Sequence, residues 1–294
     1  MIVIENVSKS FGEEQVLKSV THTFSRGRIH GIVGNNGSGK TVLMKCICGF
    51  LRPDAGRIFV NDVQIGKDRD FPEDIGIIIE TPGFLPHLSG FQNLRLLASL
   101  KRRANDHTIR AVLEQVGLDP AMKKPVGKYS LGMRQRLGIA VALAGDPDLL
   151  VLDEPTNGLD PQGIIEMREL ILKLNRQRNI TVIMSSHILD ELARLATHYG
   201  FIDGGRMLRE ISAEELEAAC RKCLRVEVSD VGALTRVLDT KGIEYKVISD
   251  TKADIYAKMS ITELAVALSG ENCELLNVTE KDESLESYYV NLVG

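Results

Sequence analysis

Short, unbroken apolar runs punctuate the first two-thirds of the chain. They are Ile29-His30-Gly31-Ile32-Val33, Ile75-Gly76-Ile77-Ile78-Ile79, Leu149-Leu150-Val151-Leu152 and Ile180-Thr181-Val182-Ile183-Met184. Runs of this length bounded by turn residues read as strands buried on both faces. Between them the period lengthens to that of helices. One helix opens after the first run and spans about 41–49. Ser89-Gly90-Phe91-Gln92 is a capping box, followed by apolar Phe91, Leu94, Leu97 and Ala98. Ile109, Val112, Leu113 and Val116 share one face of a helix over 106–116, stopped by Gly117. Asp160-Pro161 opens another, Asp as N-cap and Pro at the first position, with Ile164, Met167, Ile171 and Leu174 as its stripe. A further helix is expected to run to about Thr197. Strands alternating with helices predict an α/β fold with a largely parallel sheet. The helices within 88–145 form an inserted subdomain.

Other stretches follow different patterns. Residues 1–30 read as strands and turns, and 57–60 and 63–65 as short strands. Asp203-Gly204-Gly205 predicts a tight hairpin between 199–202 and 206–211. A second capping box, Ser212-Ala213-Glu214-Glu215, opens a linking helix. Beyond it come a strand (224–228), a helix (231–238), two strands (244–249, 254–258), a helix (261–268) and a strand (274–279). That βαββαβ order is the split pattern of a ferredoxin-like α+β unit. The expected domains are 1–220 and 221–294, with a last helix over 283–293.

Gly34-Asn35-Asn36-Gly37-Ser38-Gly39-Lys40-Thr41 lies between the first apolar run and its helix and matches G-x-x-x-x-G-K-[ST]. Glycines let the backbone wrap a phosphate with N–H groups pointing inward, and the helix N-terminus adds its positive dipole end. Lys40 suits the outer phosphates and Thr41 suits Mg²⁺. Two more loops follow buried strands: Asp153-Glu154-Pro155 and Ser185-Ser186-His187. In an open α/β sheet that edge is where ligands bind. Asp153 is placed to hold Mg²⁺, and Glu154 to orient and deprotonate an attacking water. His187 is either a structural histidine or a contact to the γ-phosphate. Phe11 is either a satellite core contact or a flat surface for stacking adenine.

Composition narrows the class. Of 294 residues, 44% are apolar and 26% charged, ordinary for a soluble globular protein. A net charge of −4 argues against nucleic acid as a bulk electrostatic partner. No apolar run approaches bilayer length, and Met1-Ile2-Val3-Ile4-Glu5 does not read as a signal peptide. Five cysteines without framework spacing fit a reducing cytoplasm. Cys220-Arg221-Lys222-Cys223 lacks a second pair for zinc and reads as incidental.

Tyr129-Ser130-Leu131-Gly132-Met133-Arg134-Gln135-Arg136-Leu137, upstream of Leu149–Leu152 and Asp153-Glu154-Pro155, resembles the signature segment of ATP-binding-cassette (ABC) transporter ATPases. The resemblance covers residues 1–220. Residues 34–41 match the Walker A loop, 149–154 Walker B with its catalytic glutamate, Phe11 the adenine-stacking position and His187 the switch histidine. Gly158-Leu159-Asp160 matches the loop that reaches a partner subunit. The resemblance implies a P-loop NTPase ABC cassette with an inserted helical subdomain and an antiparallel β subdomain, hydrolysing ATP with Mg²⁺. It further implies a head-to-tail dimer, each ATP lying between the phosphate loop of one copy and Ser130 and Gly132 of the other. The remaining partner is a separate polytopic membrane permease, with this chain peripheral on the cytoplasmic face.

Three departures stand out. Leu131 and Met133 replace the commoner glycine and glutamine. Val42 replaces a hydroxyl residue that often contacts the α-phosphate. Glu80 stands where most of the family has a glutamine that senses Mg²⁺ and the membrane partner; it keeps an oxygen ligand and adds a charge. Residues 75–94 resemble the subgroup linked to resistance against bacitracin-like and lantibiotic peptides, which implies an exporter. The alternatives are a soluble ABC ATPase of translation or DNA repair, and a phosphate-loop kinase. The first usually carries a second cassette or a coiled-coil insertion; the signature segment argues against the second.

Overall fold

The computed structural model describes residues 1–80, 83–99, 105–186, 188–220, 223–256, 260–281 and 285–293. They form two compact units, Met1–Ala213 and Glu214–Leu292. The first opens with β1 (Ile2–Phe11), β2 (Glu14–Phe24) and β3 (Ile29–Val33), then α1 (Lys40–Ile47), β4 (Ala55–Val60), β5 (Val63–Gln64) and β6 (Ile75–Ile78). Three helices interrupt the alternation: α2 (Gly90–Ser99), α3 (Asp106–Gln115) and α4 (Leu131–Leu143). It resumes with β7 (Leu149–Leu152), α5 (Pro161–Arg178), β8 (Thr181–Ser185), α6 (Leu189–Ala193), β9 (His198–Asp203) and β10 (Arg206–Ser212).

Two sheets organise this unit. One is antiparallel, in the order β2-β1-β4-β5. The other runs β10-β9-β3-β8-β7-β6, parallel from β9 to β6, with β10 antiparallel at its edge. Every residue of β3, β7 and β8 is buried, so each reads in sequence as a nearly unbroken apolar run. Leu43, Met44 and Ile47 of α1 share one core with Ile4, Val7 and Leu17 of the antiparallel sheet and Ile32, Val151 and Ile183 of the parallel one. That core fixes the helix behind the phosphate loop. Cys46 and Cys48 lie in it, and burial pushes both thiols up, Cys46 to about 11.

The local signals act as their chemistry dictates. Ser89 Oγ accepts from the Gln92 N–H at 3.3 Å while Gln92 Oε1 accepts from the Ser89 N–H at 2.9 Å. Asp160 caps α5, accepting from the Gly163 N–H at 3.3 Å. Gly204 and Gly205, at φ 49° and 81°, make the two-residue turn between β9 and β10. The helix expected to reach Thr197 stops earlier, at Ala193. Thr197 is engaged elsewhere: its N–H donates to the Ile29 carbonyl at 2.8 Å and its hydroxyl accepts from the Ile29 N–H at 3.1 Å. The chain there already forms the approach to β9.

The later elements are α7 (Ala213–Ala219), β11 (Cys223–Val228), α8 (Val231–Thr240), β12 (Tyr245–Ser249), β13 (Lys252–Ile255), α9 (Ile261–Ser269), β14 (Leu275–Lys281) and α10 (Leu285–Val293). The four strands pair antiparallel in the order β12-β13-β11-β14. Val226, Val228, Ala253 and Ile255 pack against Leu234, Leu238, Leu264 and Leu268. β13 begins at Lys252, two residues before the expected start, because Ser249 pairs directly with Lys252 across a short turn. Cys273 is buried, and its Sγ donates to the Asp230 carbonyl at 3.3 Å.

Candidate active site

The loop after β3 is shaped by contacts that exclude side chains. A Cβ on Gly34 would lie 2.3 Å from the Ile202 carbonyl and 2.5 Å from Ser38 Oγ. Gly39, at φ 105°, would meet Leu17 at 2.9 Å. The loop is braced from outside as well. The Gly205 N–H donates to the Ser38 carbonyl at 3.2 Å, and the Lys18 N–H donates to the Gly205 carbonyl at 2.8 Å. Asn35, Asn36 and Gly37 stay exposed at the rim, and Ser38, Gly39 and Lys40 are buried below them. Lys40 Nζ donates to the carbonyls of Gly34 at 2.7 Å and Asn35 at 3.0 Å. Burial holds its pKa below the usual lysine value, against the opposing pull of Glu154 and Asp153. Ser38 Oγ is buried with no hydrogen-bond partner among the described residues. A buried hydroxyl left so is costly, and a phosphate oxygen at the loop would satisfy it.

Parallel pairing brings the other loops to the same edge. Leu152 lies opposite Met184 and Ile78, so residues 153, 185 and 79 follow side by side at one edge of the sheet. Thr41 Oγ1 donates to Asp153 Oδ2 at 2.8 Å, and Ser185 Oγ donates to Asp153 Oδ1 at 2.5 Å. Ser185 Oγ also accepts from the Glu154 N–H at 3.1 Å. Glu154 has φ 50°, a left-handed conformation uncommon for a residue with a Cβ. Such outliers cluster at functional sites, where surrounding contacts over-determine them. Glu80 also has positive φ, 64°, and its Oε1 accepts from Lys45 Nζ at 2.6 Å.

A second constellation lies apart from the loop. Ser130, Gly132 and Asp160 line a cavity of about 700 Å³ with Arg136, Gln162 and Glu166, and no residue of 34–41 contributes to it. Ser130 caps α4, accepting from the Met133 N–H at 3.2 Å, as Asp160 caps α5. Two helix N-termini thus open onto one cavity. Arg136 bonds the Val116 carbonyl at 3.0 Å and pairs with Glu166, joining α3, α4 and α5.

The comparisons with known proteins decide the family. The ABC transporter family model matches residues 17–157. The bacitracin transport ATP-binding protein BcrA of Bacillus licheniformis is 38% identical over 298 residues, spanning 100% of this chain and 97% of that protein. The chain belongs to the ABC transporter ATP-binding family. The lantibiotic transport ATP-binding protein SrtF of Streptococcus pyogenes is 40% identical over 210 residues, 71% of this chain and 90% of that one. Among solved structures, cbiO1 from Clostridium perfringens, part of the cbiONQ ABC transporter complex, superposes with a TM-score of 0.67 at 26% identity. That match covers 74% of this chain and 90% of the other. This ABC protein is therefore an ATPase whose hydrolysis is coupled to transport. Among the described residues, no helix is long and apolar enough to cross a membrane.

Within the cassette the remaining candidates are placed as follows. Phe11 ends β1, is 48% exposed, and has the Lys9 ammonium 5.7 Å from its ring centre. Val42 is half-buried and packs against the core. His187 lies outside the described residues. Two contributors escaped sequence reasoning. Ser185 was legible only as a strand end, although its register opposite Asp153 follows once β7 and β8 are known to pair. Gly205 reads as a hairpin residue, and nothing local shows that its N–H reaches the phosphate loop.

Proposed function

We propose that this chain powers an exporter of bacitracin-like or lantibiotic-type peptides, working as a head-to-tail pair against the cytoplasmic face of a separate polytopic permease. Full-length similarity to a bacitracin transport protein, together with a lantibiotic transport relative, supports the substrate class. The observation carrying the paired arrangement is the separation of the phosphate loop from the cavity of Ser130, Gly132 and Asp160. One chain holds two half-sites; a second copy completes each.

The roles follow from chemistry. The phosphate loop and Lys40 hold the phosphates, the exposed Phe11 ring stacks the adenine, and Val42 contributes backbone. Thr41, Asp153 and Glu80 offer oxygen donors only, which suits Mg²⁺ held largely by phosphates and water. Bound there, the ion would neutralise charge developing on the transferred phosphoryl group. Glu154 orients and deprotonates the attacking water. Ser130 and Gly132 present a helix N-terminus to the phosphates held by the partner copy, and Asp160 lies at the loop facing that copy. His187 contacts the γ-phosphate.

The test is co-expression of this chain with the membrane protein encoded beside it. Co-purification of the two, with bacitracin or lantibiotic tolerance raised several-fold and lost on Glu154→Gln, is expected. A stable ribosome or DNA complex, with no membrane partner and unchanged tolerance, would overturn the reading.

A further inference from the structure

We propose that Lys45 is a positioning residue: it neutralises the Glu80 carboxylate and holds it on the face of α1 that also carries Thr41. The proposal rests on the ATP-binding reading above and assigns a role to a residue outside the phosphate-loop motif.

Lys45 follows Thr41 by four residues, so the two side chains share one helix face about 6 Å apart along the axis. Thr41 Oγ1 bonds Asp153, and Lys45 Nζ bonds Glu80 Oε1 at 2.6 Å. Glu80 lies two residues past Ile78, whose carbonyl accepts from the Asp153 N–H at 2.7 Å. The pair therefore sits at the sheet edge that carries Asp153 and Glu154. Three carboxylates gather at this edge, and two lysines answer them. Lys40 feels Glu154 and Asp153; Lys45 binds Glu80.

The arrangement gives the glutamate a reason to be tolerated. A bare carboxylate beside a triphosphate repels it, whereas a neutral amide does not. An ammonium at hydrogen-bond distance cancels that repulsion while leaving the second carboxylate oxygen available. The Lys45 and Glu80 side chains are 28% and 68% exposed, so the pair adds little to folding and its effect is local. The direct pulls of the two charges on a triphosphate add, so what position 80 decides is whether losing Lys45 also releases a carboxylate that it had held in place.

A double-mutant cycle separates this from a general effect of Lys45. Nucleotide affinity is measured by calorimetry on the full chain for wild type, Lys45→Met, Glu80→Gln and the double variant, using ATP with EDTA and MgATP, at low and high salt. Lys45→Met is expected to weaken metal-free ATP about fivefold at low salt when Glu80 is present, and less than about twofold beside Glu80→Gln. The gap should close at high salt, where exposed charges are screened. Lys45→Arg should bind as wild type does. Equal losses in both backgrounds, or none in either, would overturn the proposal. Lys45→Gln takes the place of Lys45→Met if thermal melting shows that the latter has not folded. Wild-type protein that binds no ATP would instead overturn the nucleotide-binding reading itself.

Discussion

At the phosphate loop Thr41, Asp153 and Ser185 bond to one another across three elements, whereas Ser130 and Asp160 at the second cavity each cap their own helix. Thr41, Asp153 and Ser185 form a chain from α1 through β7 to β8. Ser130 and Asp160 each accept from an N–H three residues further on, in α4 and α5. The first is assembled from distant segments and carries the groups proposed above to do the chemistry. The second takes its caps from single helices, which Arg136 ties together, and offers mainly the partial positive charge of helix N-termini. Damage to the first should therefore change the reaction or the affinity for ATP. Damage to the second should change how a second copy closes on ATP.

The largest expected effect isolates chemistry from binding. Glu154→Gln keeps the shape and removes the base, so ATP hydrolysis should fall by about 10²–10⁴-fold. ATP binding should persist, and size-exclusion chromatography with ATP should show a trapped dimer. Unchanged steady-state turnover would remove Glu154 from this role.

Acid should affect both half-sites together. His22 of β2 and His30 of β3 are buried, each with its pKa lowered to about 4, chiefly by burial. Glu210 approaches His22 at 3.5 Å, but that carboxylate is 40% exposed and its field is screened, so desolvation prevails. The unfolded chain takes up these protons near pH 6.5 and the folded one only near pH 4. Stability is full above pH 6.5 and falls as pH drops toward 4, by about 3 kcal/mol for each histidine. Thermal melts of His22→Gln or His30→Gln should show a shallower acid slope than wild type. An unchanged slope would exclude these groups.

Lys40→Ala tests the first half-site alone. Loss of a charged phosphate contact should weaken ATP binding about 30- to 100-fold, with the thermal midpoint of the nucleotide-free protein little changed. Affinity equal to wild type would contradict the cradle geometry.

How far the sequence revealed this depended on whether a feature was local. The phosphate loop, the Ser89–Gln92 capping box and the Asp160 cap are set by neighbours in the chain, and their residues announce them. The buried runs announce β3, β7 and β8 because central parallel strands have no polar face. Ser185 and Gly205 depend on register and on a hairpin folding back, information held by no single segment. Thr197 misled for the same reason, since its bonds to Ile29 outweigh the helical pattern preceding it.

The smallest expected effect bears most directly on the two half-sites. Ser130→Ala removes the hydroxyl that caps α4, which should cost about 1 kcal/mol of stability. If the second half-site works through its helix N-terminus, ATP affinity of the isolated monomer should not change, because no residue of the phosphate loop lines that cavity. What should change is the ATP-dependent dimer, whose dissociation constant should rise about fivefold in the Glu154→Gln background. Ser130→Asp keeps the cap and so the stability, yet sets a carboxylate against the partner copy's phosphates. It should weaken the dimer further than Ala does. Sedimentation with and without ATP, beside a thermal melt, separates the two contributions. A variant that loses stability and dimer in equal measure would mean that Ser130 serves only its own helix.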